Sequence, residues 1–360
     1  MTRLLVSFLV FCLAGTAAAQ DYRLETVTDQ LSAPWCIAFL PDGDFLVTEL
    51  AGQLKRLDSS GKIEATVTGV PEVHHAGQGG LFDVVLHPAF GQNNLVYLSY
   101  ADGPAKKNAT TIARARLSGD ALVDLEVIYS VTPRKNTPVH YGGRMLFLPD
   151  GTLLLTTGDG FDFREAAQDI SSGLGKIIRI NDDGAPAAGN PFPKSPYVWS
   201  YGHRNAQGLT MSRSGTVYLH EHGPRGGDEL NILKRGVNYG WPAITHGVDY
   251  SGALVSPFTE WEGMAQPEHY WVPSIAPSGL AIYEGTDFPQ WHGDLFIGAL
   301  VSREVRRLDM KDGRVIADEA VFPEIRTRIR DVRTGPDNTL YILTDGTPGK
   351  LIKVLPAARD

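Results

Sequence analysis

Short apolar runs recur along this chain after turn-forming residues, and no long apolar stripe of helical period interrupts them. The clearest copies follow Pro-Asp-Gly or Pro-Asp-Asn at 41–43, 149–151 and 336–338. Weaker copies with the same layout lie at 87–101, 212–223 and 289–300. Proline presets φ, aspartate bonds locally and glycine accepts a positive φ. Each copy therefore predicts a turn followed by an inner β-strand.

The six copies start at residues 41, 88, 149, 212, 289 and 336, which is a spacing of about 47 to 77 residues. A four-stranded propeller blade needs roughly 40–50 residues, and insertions lengthen it. The repeat thus predicts an all-β fold, a six-bladed β-propeller of four-stranded antiparallel blades. We expect the run at 349–355 to close the ring with an N-terminal strand. A pair of packed β-sheets is the alternative architecture.

The N-terminus has the features of a secretory signal peptide, with Arg3, an apolar run over 4–15 and small residues at 17–19. We predict removal of residues 1–19 and a single mature domain, 20–360, that is periplasmic or secreted. A buried N-terminal strand is the alternative. Only Cys36 then remains, so no internal disulfide can form, and its apolar surroundings predict a buried, inert thiol.

The amino-acid composition and the net charge restrict the classes of function that this chain can have. The chain is 42% hydrophobic and 21% charged, as in ordinary globular proteins, and its net charge is −8. That charge disfavours bulk attraction to nucleic acid or to an anionic membrane. No Cys/His set has zinc spacing, and no phosphate loop or dinucleotide fingerprint follows a strand.

His140 differs in context from the other nine histidines. It opens the segment HYGGRMLFLPDG, beside two glycines and just before an inner-strand run. A histidine at a strand entrance, where the backbone can approach a ligand closely, is placed to take a proton. His203, in SYGHRNAQGL, reads equally well as a packed, hydrogen-bonded residue. From the residues alone, His140 is a candidate base and no more.

Arginines supply a second candidate site. Arg328 and Arg330 are two residues apart, so in a strand they share one face. Their guanidinium groups repel each other unless an anion lies between them. With Arg204 they could converge on a ligand that carries several carboxylates or phosphates. The alternative is a solvated strand end with acidic partners.

The segment HGPRGGDELN…NYGWP could bind calcium, which accepts backbone carbonyls and six to eight oxygens. Gly223 and Pro224 form a turn whose carbonyls could face outward, and Asp228, Glu229 and Tyr239 are nearby oxygen donors. Their spacing is not that of an EF-hand loop. A solvated acidic turn is the alternative.

Five motifs in this order carry a resemblance: GQGGLFDVVLHP, HYGGRMLFLPDG, SYGHRNAQGL, HGPRGGDELN…NYGWP and RIRDV. In them the chain resembles the soluble glucose/sorbosone dehydrogenase family, whose members depend on pyrroloquinoline quinone (PQQ), and especially its bacterial aldose sugar dehydrogenase branch. The resemblance covers nearly the whole mature chain. It implies PQQ and Ca²⁺ as cofactors, an aldose as substrate and an external electron acceptor.

The resemblance also implies a role for each matched position. His140 matches the catalytic base, which would take the proton of the anomeric hydroxyl while hydride leaves C1 and a lactone forms. The positions it places at the cofactor are Gln78, Arg204, Asn205, Tyr250, Arg328 and Arg330. The positions it gives to calcium are the carbonyls of Gly223 and Pro224, and Glu229 and Tyr239 at a further ion.

Two positions depart from the soluble glucose dehydrogenase branch. Val139 stands where that branch has an acidic residue, and no lysine lies near Val301, where that branch has a cofactor-binding lysine. We expect Arg303 to supply the missing positive charge. The rival functions are a calcium-dependent propeller lactonase or esterase and a non-catalytic ligand-binding propeller. We expect a monomer or homodimer with no membrane span.

Overall fold

The computed structural model describes residues 21–357, and its strands form six four-stranded antiparallel sheets. In chain order the strands are β1 (Tyr22–Leu31), β2 (Pro34–Phe39), β3 (Phe45–Glu49), β4 (Gln53–Leu57), β5 (Ile63–Val67), β6 (Leu81–Leu86), β7 (Leu95–Asp102), β8 (Ala109–Ser118), β9 (Ala121–Ser130), β10 (Gly142–Phe147), β11 (Leu153–Thr157), β12 (Lys176–Ile180), β13 (Val198–Tyr201), β14 (Ala206–Met211), β15 (Val217–Glu221), β16 (Asp228–Ile232), β17 (His269–Trp271), β18 (Pro277–Ile282), β19 (Leu295–Ala299), β20 (Val305–Lys311), β21 (Arg314–Val321), β22 (Ile329–Thr334), β23 (Leu340–Thr344) and β24 (Gly349–Pro356).

The sheets form a closed ring. The first strands of neighbouring sheets contact one another around it: β2 with β6, β6 with β10, β10 with β14, β14 with β18, β18 with β22, and β22 with β2. The prediction of a six-bladed propeller is therefore confirmed. Each repeat run forms the second strand of its sheet and is paired on both edges, whereas the strand that lines the axis comes just before the turn.

The ring closes between the two ends of the described chain. Strand β24 pairs antiparallel with β1, so the last sheet has the order β1-β24-β23-β22. The predicted closure by the run at 349–355 is thus confirmed. Because β1 covers β24, the C-terminal strand is not left as an open edge.

Helical structure is minor in the described chain. It consists of one short helix, α1 (Phe90–Asn93), and two 3₁₀ turns at Arg164–Ala167 and Pro289–Trp291. Over residues 21–357, no helix is both long and apolar enough to cross a lipid bilayer. The signal-peptide prediction for 1–19 lies outside the described residues and stays a prediction.

The core lies between adjacent blades because the second strands are buried on both faces. All five residues of β23 are buried, for example, and Leu343 packs with Val47 of the neighbouring first blade. Cys36 is fully buried in β2, as predicted, and its thiol donates a hydrogen bond to Asp83 Oδ1 at 2.7 Å. Burial raises the pKa of Cys36 well above its ordinary value, so the thiol stays protonated.

One face of the ring, here called the mouth, is where the axial strands β2, β6, β10, β14, β18 and β22 begin. Since neighbouring strands are antiparallel, the second strands end at this same face. The segments before the axial strands and after the second strands therefore meet at the mouth. Most of the candidate residues from the sequence lie in those segments.

Candidate active site

His140 lies at the mouth, two residues before β10, and is 5% exposed. Its Nδ1 is 2.7 Å from Oδ1 of Asp159, which follows β11. Because a carboxylate only accepts, Nδ1 carries the hydrogen and Nε2 is left as the acceptor. Burial lowers the pKa of His140 below its ordinary value, although the bond to Asp159 opposes this shift. The imidazole is therefore neutral at pH 7 and able to take a proton.

Asp159 is held in place by donors besides the histidine. Its Oδ2 accepts a hydrogen bond from Trp241 Nε1 at 2.8 Å, and its Oδ1 accepts one from the backbone N–H of Phe161 at 2.8 Å. The Phe161 ring lies edge-on to His140, with centroids 5.1 Å apart. The orientation of His140 is thus fixed from two sides.

Gln78 and Asn205 bind the backbone around His140. Gln78 Oε1 accepts the N–H of His140 at 2.8 Å, and Asn205 Oδ1 accepts the N–H of Gly142 at 3.1 Å. His140 has a φ of 52°, a left-handed conformation that is uncommon outside glycine. The side-chain amides of Gln78 and Asn205 help to hold the segment in that conformation.

Arg204 is 3% exposed, and within residues 21–357 its guanidinium makes no ion pair with a carboxylate. Nη1 donates to the Gly223 carbonyl at 2.6 Å, and Nη2 lies 3.5 Å from the hydroxyl of Tyr250. Its Nε is buried without a partner in the described chain. Buried charges are ordinarily paired, so the environment of Arg204 favours binding of an anion beside its guanidinium.

A cleft of about 260 Å³ opens beside Arg204 and Asp159. Phe161 and Tyr250 form part of its wall, with their rings stacked at a centroid distance of 6.2 Å. Pro224 lines the same cleft. The histidine's carboxylate partner, an unpaired guanidinium and a candidate calcium ligand thus face a common space.

Arg328 and Arg330 share one carboxylate. Arg328 Nε is 2.6 Å from Asp345 Oδ2, and Arg330 Nη2 is 2.9 Å from Asp345 Oδ1. Burial alone would raise the pKa of Asp345, but the two arginines hold it below its ordinary value. The anion required between the arginines is therefore in part supplied by the protein. One carboxylate for two guanidinium groups leaves a surplus positive charge.

Arg303 lies in the exposed loop after β19 with a φ of 60°. It makes no hydrogen bond or ion pair within the part of the chain that the structure describes. Val301 beside it is 62% exposed. The side chain is free to reach a ligand at the mouth, and its role remains a prediction.

The Gly223-Pro224 turn is braced by Asp228, which the sequence offered as a nearby oxygen donor. Asp228 Oδ1 accepts the N–H of Gly223 at 2.9 Å. Its Oδ2 accepts hydrogen bonds from the Ser274 hydroxyl and the Ile275 N–H. Both carboxylate oxygens therefore accept hydrogen bonds from the protein, and Asp228 positions the turn.

Glu229 lies opposite Glu221 in the β15–β16 ladder. Glu221 is fully engaged, by His203 Nδ1 at 2.8 Å and by the N–H of Arg204. Glu229 accepts one bond, from Asn231 Nδ2 at 3.2 Å. Burial first and Glu221 second raise the pKa of Glu229 to about 8. His203 itself is packed and hydrogen-bonded, as its sequence context suggested.

The phenol group of Tyr239 is not free to bind calcium. Its hydroxyl donates to the Ile232 carbonyl at 2.7 Å and accepts the N–H of Lys234 at 2.8 Å. Its main-chain carbonyl accepts no hydrogen bond in the described chain, so this oxygen, and not the phenol, is the one that could bind calcium. Over residues 21–357, no group of three or more His, Cys, Asp or Glu side chains is arranged to hold a metal ion.

Sequence reasoning did not identify Asp159, Glu221, Asp345 or Trp241. A signal for three of them was present, because five of the six second strands carry an acidic residue at or just past their mouth end. These residues are Glu49, Asp102, Asp159, Glu221 and Asp345. Nothing in the sequence marks Trp241, which reaches Asp159 from a long loop.

Comparisons with known proteins agree with this architecture. The family model described as glucose/sorbosone dehydrogenase matches residues 31–353. The chain is 41% identical to the aldose sugar dehydrogenase YliI of Escherichia coli, over 96% of this chain and 97% of that protein.

Solved structures are similar over most of the chain. The soluble aldose sugar dehydrogenase from Escherichia coli in its apo form has a TM-score of 0.90 at 40% identity, covering 93% of this chain and 100% of that one. The PQQ-bound aldose sugar dehydrogenase from Streptomyces coelicolor has a TM-score of 0.77 at 30% identity, covering 93% of this chain and 98% of that one.

Proposed function

This chain belongs to the glucose/sorbosone dehydrogenase family, and we propose on that premise that it oxidises aldose sugars at C1 with bound PQQ and calcium. The observation that carries the proposal is Arg204, a buried guanidinium that has no carboxylate partner within residues 21–357 and faces the same cleft as Asp159, the partner of His140. A cation for an anionic cofactor and a neutral base for an alcohol are the two groups that such a reaction requires.

The cationic residues suit a cofactor with several carboxylates. Arg204 has no carboxylate partner within residues 21–357, and Arg328 and Arg330 share Asp345, so the mouth carries surplus positive charge. Arg204 would hold one edge of PQQ, with Arg328, Arg330 and Arg303 near its carboxylates. The PQQ-bound relative supports this choice of cofactor. The lysine expected near Val301 is absent, so this chain would rely on arginine alone.

The oxygen donors suit calcium at two places. The Pro224 carbonyl accepts no hydrogen bond in the described chain, and the Gly223 carbonyl retains a lone pair beside Arg204. At the further site, Glu229 has spare carboxylate capacity, and Asn231 Oδ1 is buried without a partner. Flexible oxygen coordination of this kind is what calcium accepts.

When bound, PQQ supplies the two-electron oxidant and calcium supplies a Lewis acid. His140 Nε2 takes the proton of the sugar's anomeric hydroxyl, since Nδ1–H is committed to Asp159. Asp159 keeps that tautomer and stabilises the imidazolium that forms. Loss of a proton and a hydride from C1–OH leaves the lactone. The electrons then pass to an external acceptor.

A reconstitution assay tests the proposal. PQQ and Ca²⁺ are added to purified apoprotein, and reduction of a dye is followed with several aldoses. Dye reduction that depends on both PQQ and sugar is the expected result. Ester or lactone hydrolysis without PQQ would instead indicate a propeller hydrolase, and binding of PQQ without turnover would indicate a non-catalytic propeller. Either outcome would overturn the dehydrogenase assignment.

We also propose a periplasmic or secreted location, which rests on the signal-like residues 1–19. Expression of the full chain, followed by cell fractionation and N-terminal sequencing, tests it. A mature start at Gln20 in the extracytoplasmic fraction is expected. An intact Met1 in the cytoplasm would contradict it.

A further inference from the structure

Two lysines are buried in this propeller, and only one of them adjoins the active site. Lys135 is 2% exposed and Lys176 is fully buried, and neither makes an ion pair with a carboxylate within residues 21–357. Burial lowers the pKa of each to about 7. Lys176 donates to backbone carbonyls, among them those of Ala167 and Leu174, and so closes a turn. Lys135 has a different set of partners.

The amino group of Lys135 binds the segment that carries His140 on both sides of that histidine. Nζ donates to the Thr137 carbonyl at 2.5 Å and lies 3.4 Å from the ring centroid of Tyr141. It also donates to Asn108 Oδ1 at 3.1 Å, which accepts the Tyr141 hydroxyl at 2.8 Å. One ammonium group therefore ties three residues of this loop region together.

Lys135 also adjoins the loop of Asp159. A Cβ added at Gly160 would lie 2.8 Å from Lys135 Cδ, so the lysine stem packs directly on the backbone beside Asp159. The Thr137 hydroxyl donates to the Gly160 carbonyl at 2.6 Å. Both members of the His140–Asp159 pair are thus carried by segments that Lys135 contacts.

We propose that Lys135 is a positioning residue that fixes the loop of His140 against that of Asp159 and disfavours protonation of His140 by its charge. The proposal rests on the proposed function, in which His140 is the base. Lys135 itself faces Asn108 and Tyr141 and takes no part in the proton transfer.

The charges that face His140 explain the second part of this role. Asp159 favours the imidazolium, whereas Arg204 and Lys135 disfavour it. His222 also faces His140, but burial lowers its pKa well below the ordinary value and it is neutral. The pKa of His140 lies below its ordinary value of 6.5, and at such pH an amino group with a pKa of about 7, as for Lys135, is mostly charged. Removing that charge should therefore raise the pKa of His140.

The test compares Lys135→Met with Lys176→Met, which also removes an equally buried lysine but one that does not face His140. The pH dependence of kcat/KM is measured for both reconstituted variants. For Lys135→Met the acid limb should move to higher pH by roughly half a unit, and kcat should fall. For Lys176→Met the acid limb should stay in place, even if stability falls.

A second readout separates this proposal from the proposed function, because it needs neither sugar nor cofactor. NMR titration of His140 in the apoprotein should give a higher pKa in Lys135→Met than in the wild type or in Lys176→Met. An unchanged His140 pKa in folded Lys135→Met would overturn the proposal. Absence of dehydrogenase activity in the wild type, with the NMR shift present, would overturn only the proposed function.

Asn108→Asp is the second variant with which to test the proposal if Lys135→Met does not fold. It places a negative charge beside Nζ of Lys135 without shortening the lysine. The field of the ammonium at His140 is then largely cancelled, so the same upward shift of the His140 pKa is expected. A pKa equal to that of the wild type would again overturn the proposal.

Discussion

Two clusters of charged residues lie along the axis of the ring, and they differ in how their charges are balanced. The channel cluster, deep in the ring, consists of Asp83, Arg144, Asp331 and Arg333. The mouth cluster consists of His140, Asp159, Arg204, Arg328, Arg330 and Asp345. Both draw on the axial strands, so position in the fold alone does not separate them.

The charges of the channel cluster balance one another, although Arg144 Nη1 and Asp331 Oδ1 are buried without a hydrogen-bond partner in the described chain. Arg144 is 2.9 Å from Asp331, and Arg333 lies 3.0 Å from Asp331 and 3.2 Å from Asp83. Two aspartates thus face two arginines, and Arg144 also stacks on Trp35 at 4.0 Å. A buried network whose positive and negative charges cancel in this way links blades to one another and needs no charged ligand to balance it.

The mouth cluster is not self-sufficient. Arg204 has no carboxylate partner in the part of the chain that the structure describes, and Asp345 pairs with both Arg328 and Arg330. His140 Nε2 has no hydrogen-bond partner within residues 21–357. Unmet charge beside a cleft, rather than the number of charged groups, therefore distinguishes a binding site from a structural network in this protein.

Replacement of the base should give the largest effect. His140→Ala removes the proton acceptor, and general-base catalysis contributes about 10²–10⁴ in rate, so turnover should fall by at least that factor. PQQ binding, followed by absorbance titration, should be retained. Near-normal turnover in this variant would show that the mouth cluster does not contain the base.

Breaking the channel cluster should instead affect stability. Asp331→Ala leaves Arg144 and Arg333 short of a buried partner, which costs about 3–5 kcal/mol in the free energy of unfolding. Urea denaturation measures this loss. Arg204→Met is the control, because that arginine has no acidic partner to strand, and it should change stability by less than about 1 kcal/mol. Equal losses in the two variants would erase the distinction between the clusters.

Removing the charge of Asp159 should affect both rate and pH dependence. Asp159→Asn takes away the carboxylate that is bonded to His140, so the pKa of His140 should fall and the acid limb of kcat/KM should move to lower pH. Turnover should drop roughly tenfold or more because the tautomer is no longer fixed. A limb that moves upward would contradict the assigned pairing.

Arg204→Met should weaken cofactor binding. A hydrogen bond to a charged group is worth about 1.5–3 kcal/mol, so Kd for PQQ should rise by roughly 10- to 100-fold. Titration of the apoprotein with PQQ measures it. Arg213→Met, at the opposite face of the ring, is the matched control and should leave Kd unchanged. An unaltered Kd in Arg204→Met would remove the main support for an anionic cofactor.

Replacement of the proposed calcium ligand Glu229 should give the smallest effect. It is measured as a change in the melting temperature of the apoprotein on addition of Ca²⁺. Ca²⁺ should raise the melting temperature of the wild type by binding only the folded state. Glu229→Gln should lose part of that shift, whereas Asp124→Asn, on an exposed outer strand, should keep it. A full shift in Glu229→Gln would place the ion elsewhere.

Much of the site could be predicted from particular residues. The glycines after His140 indicated that the backbone there can be approached closely, and the i, i+2 spacing of Arg328 and Arg330 required an anion. The identity of that anion could not be predicted, because Asp345 comes from the next strand and meets the arginines only when β22 and β23 pair. Asp228 was a nearby oxygen donor in the sequence, and only the fold shows that its two oxygens brace the Gly223-Pro224 turn and the Ile275 backbone.

The six-bladed ring can be predicted from the amino-acid sequence alone. Turn chemistry and buried runs are local signals, and their six copies specify six blades whatever the side chains at the mouth do. The sequence also placed an acidic residue at the mouth end of five second strands. What each of these residues does depends on its neighbours in the fold: Glu49 accepts a hydrogen bond from the N–H of Ser32, whereas Asp159 orients His140. The reason is physical, since a carboxylate takes its role from the donors that neighbouring segments bring within 3 Å, and those segments are distant along the chain.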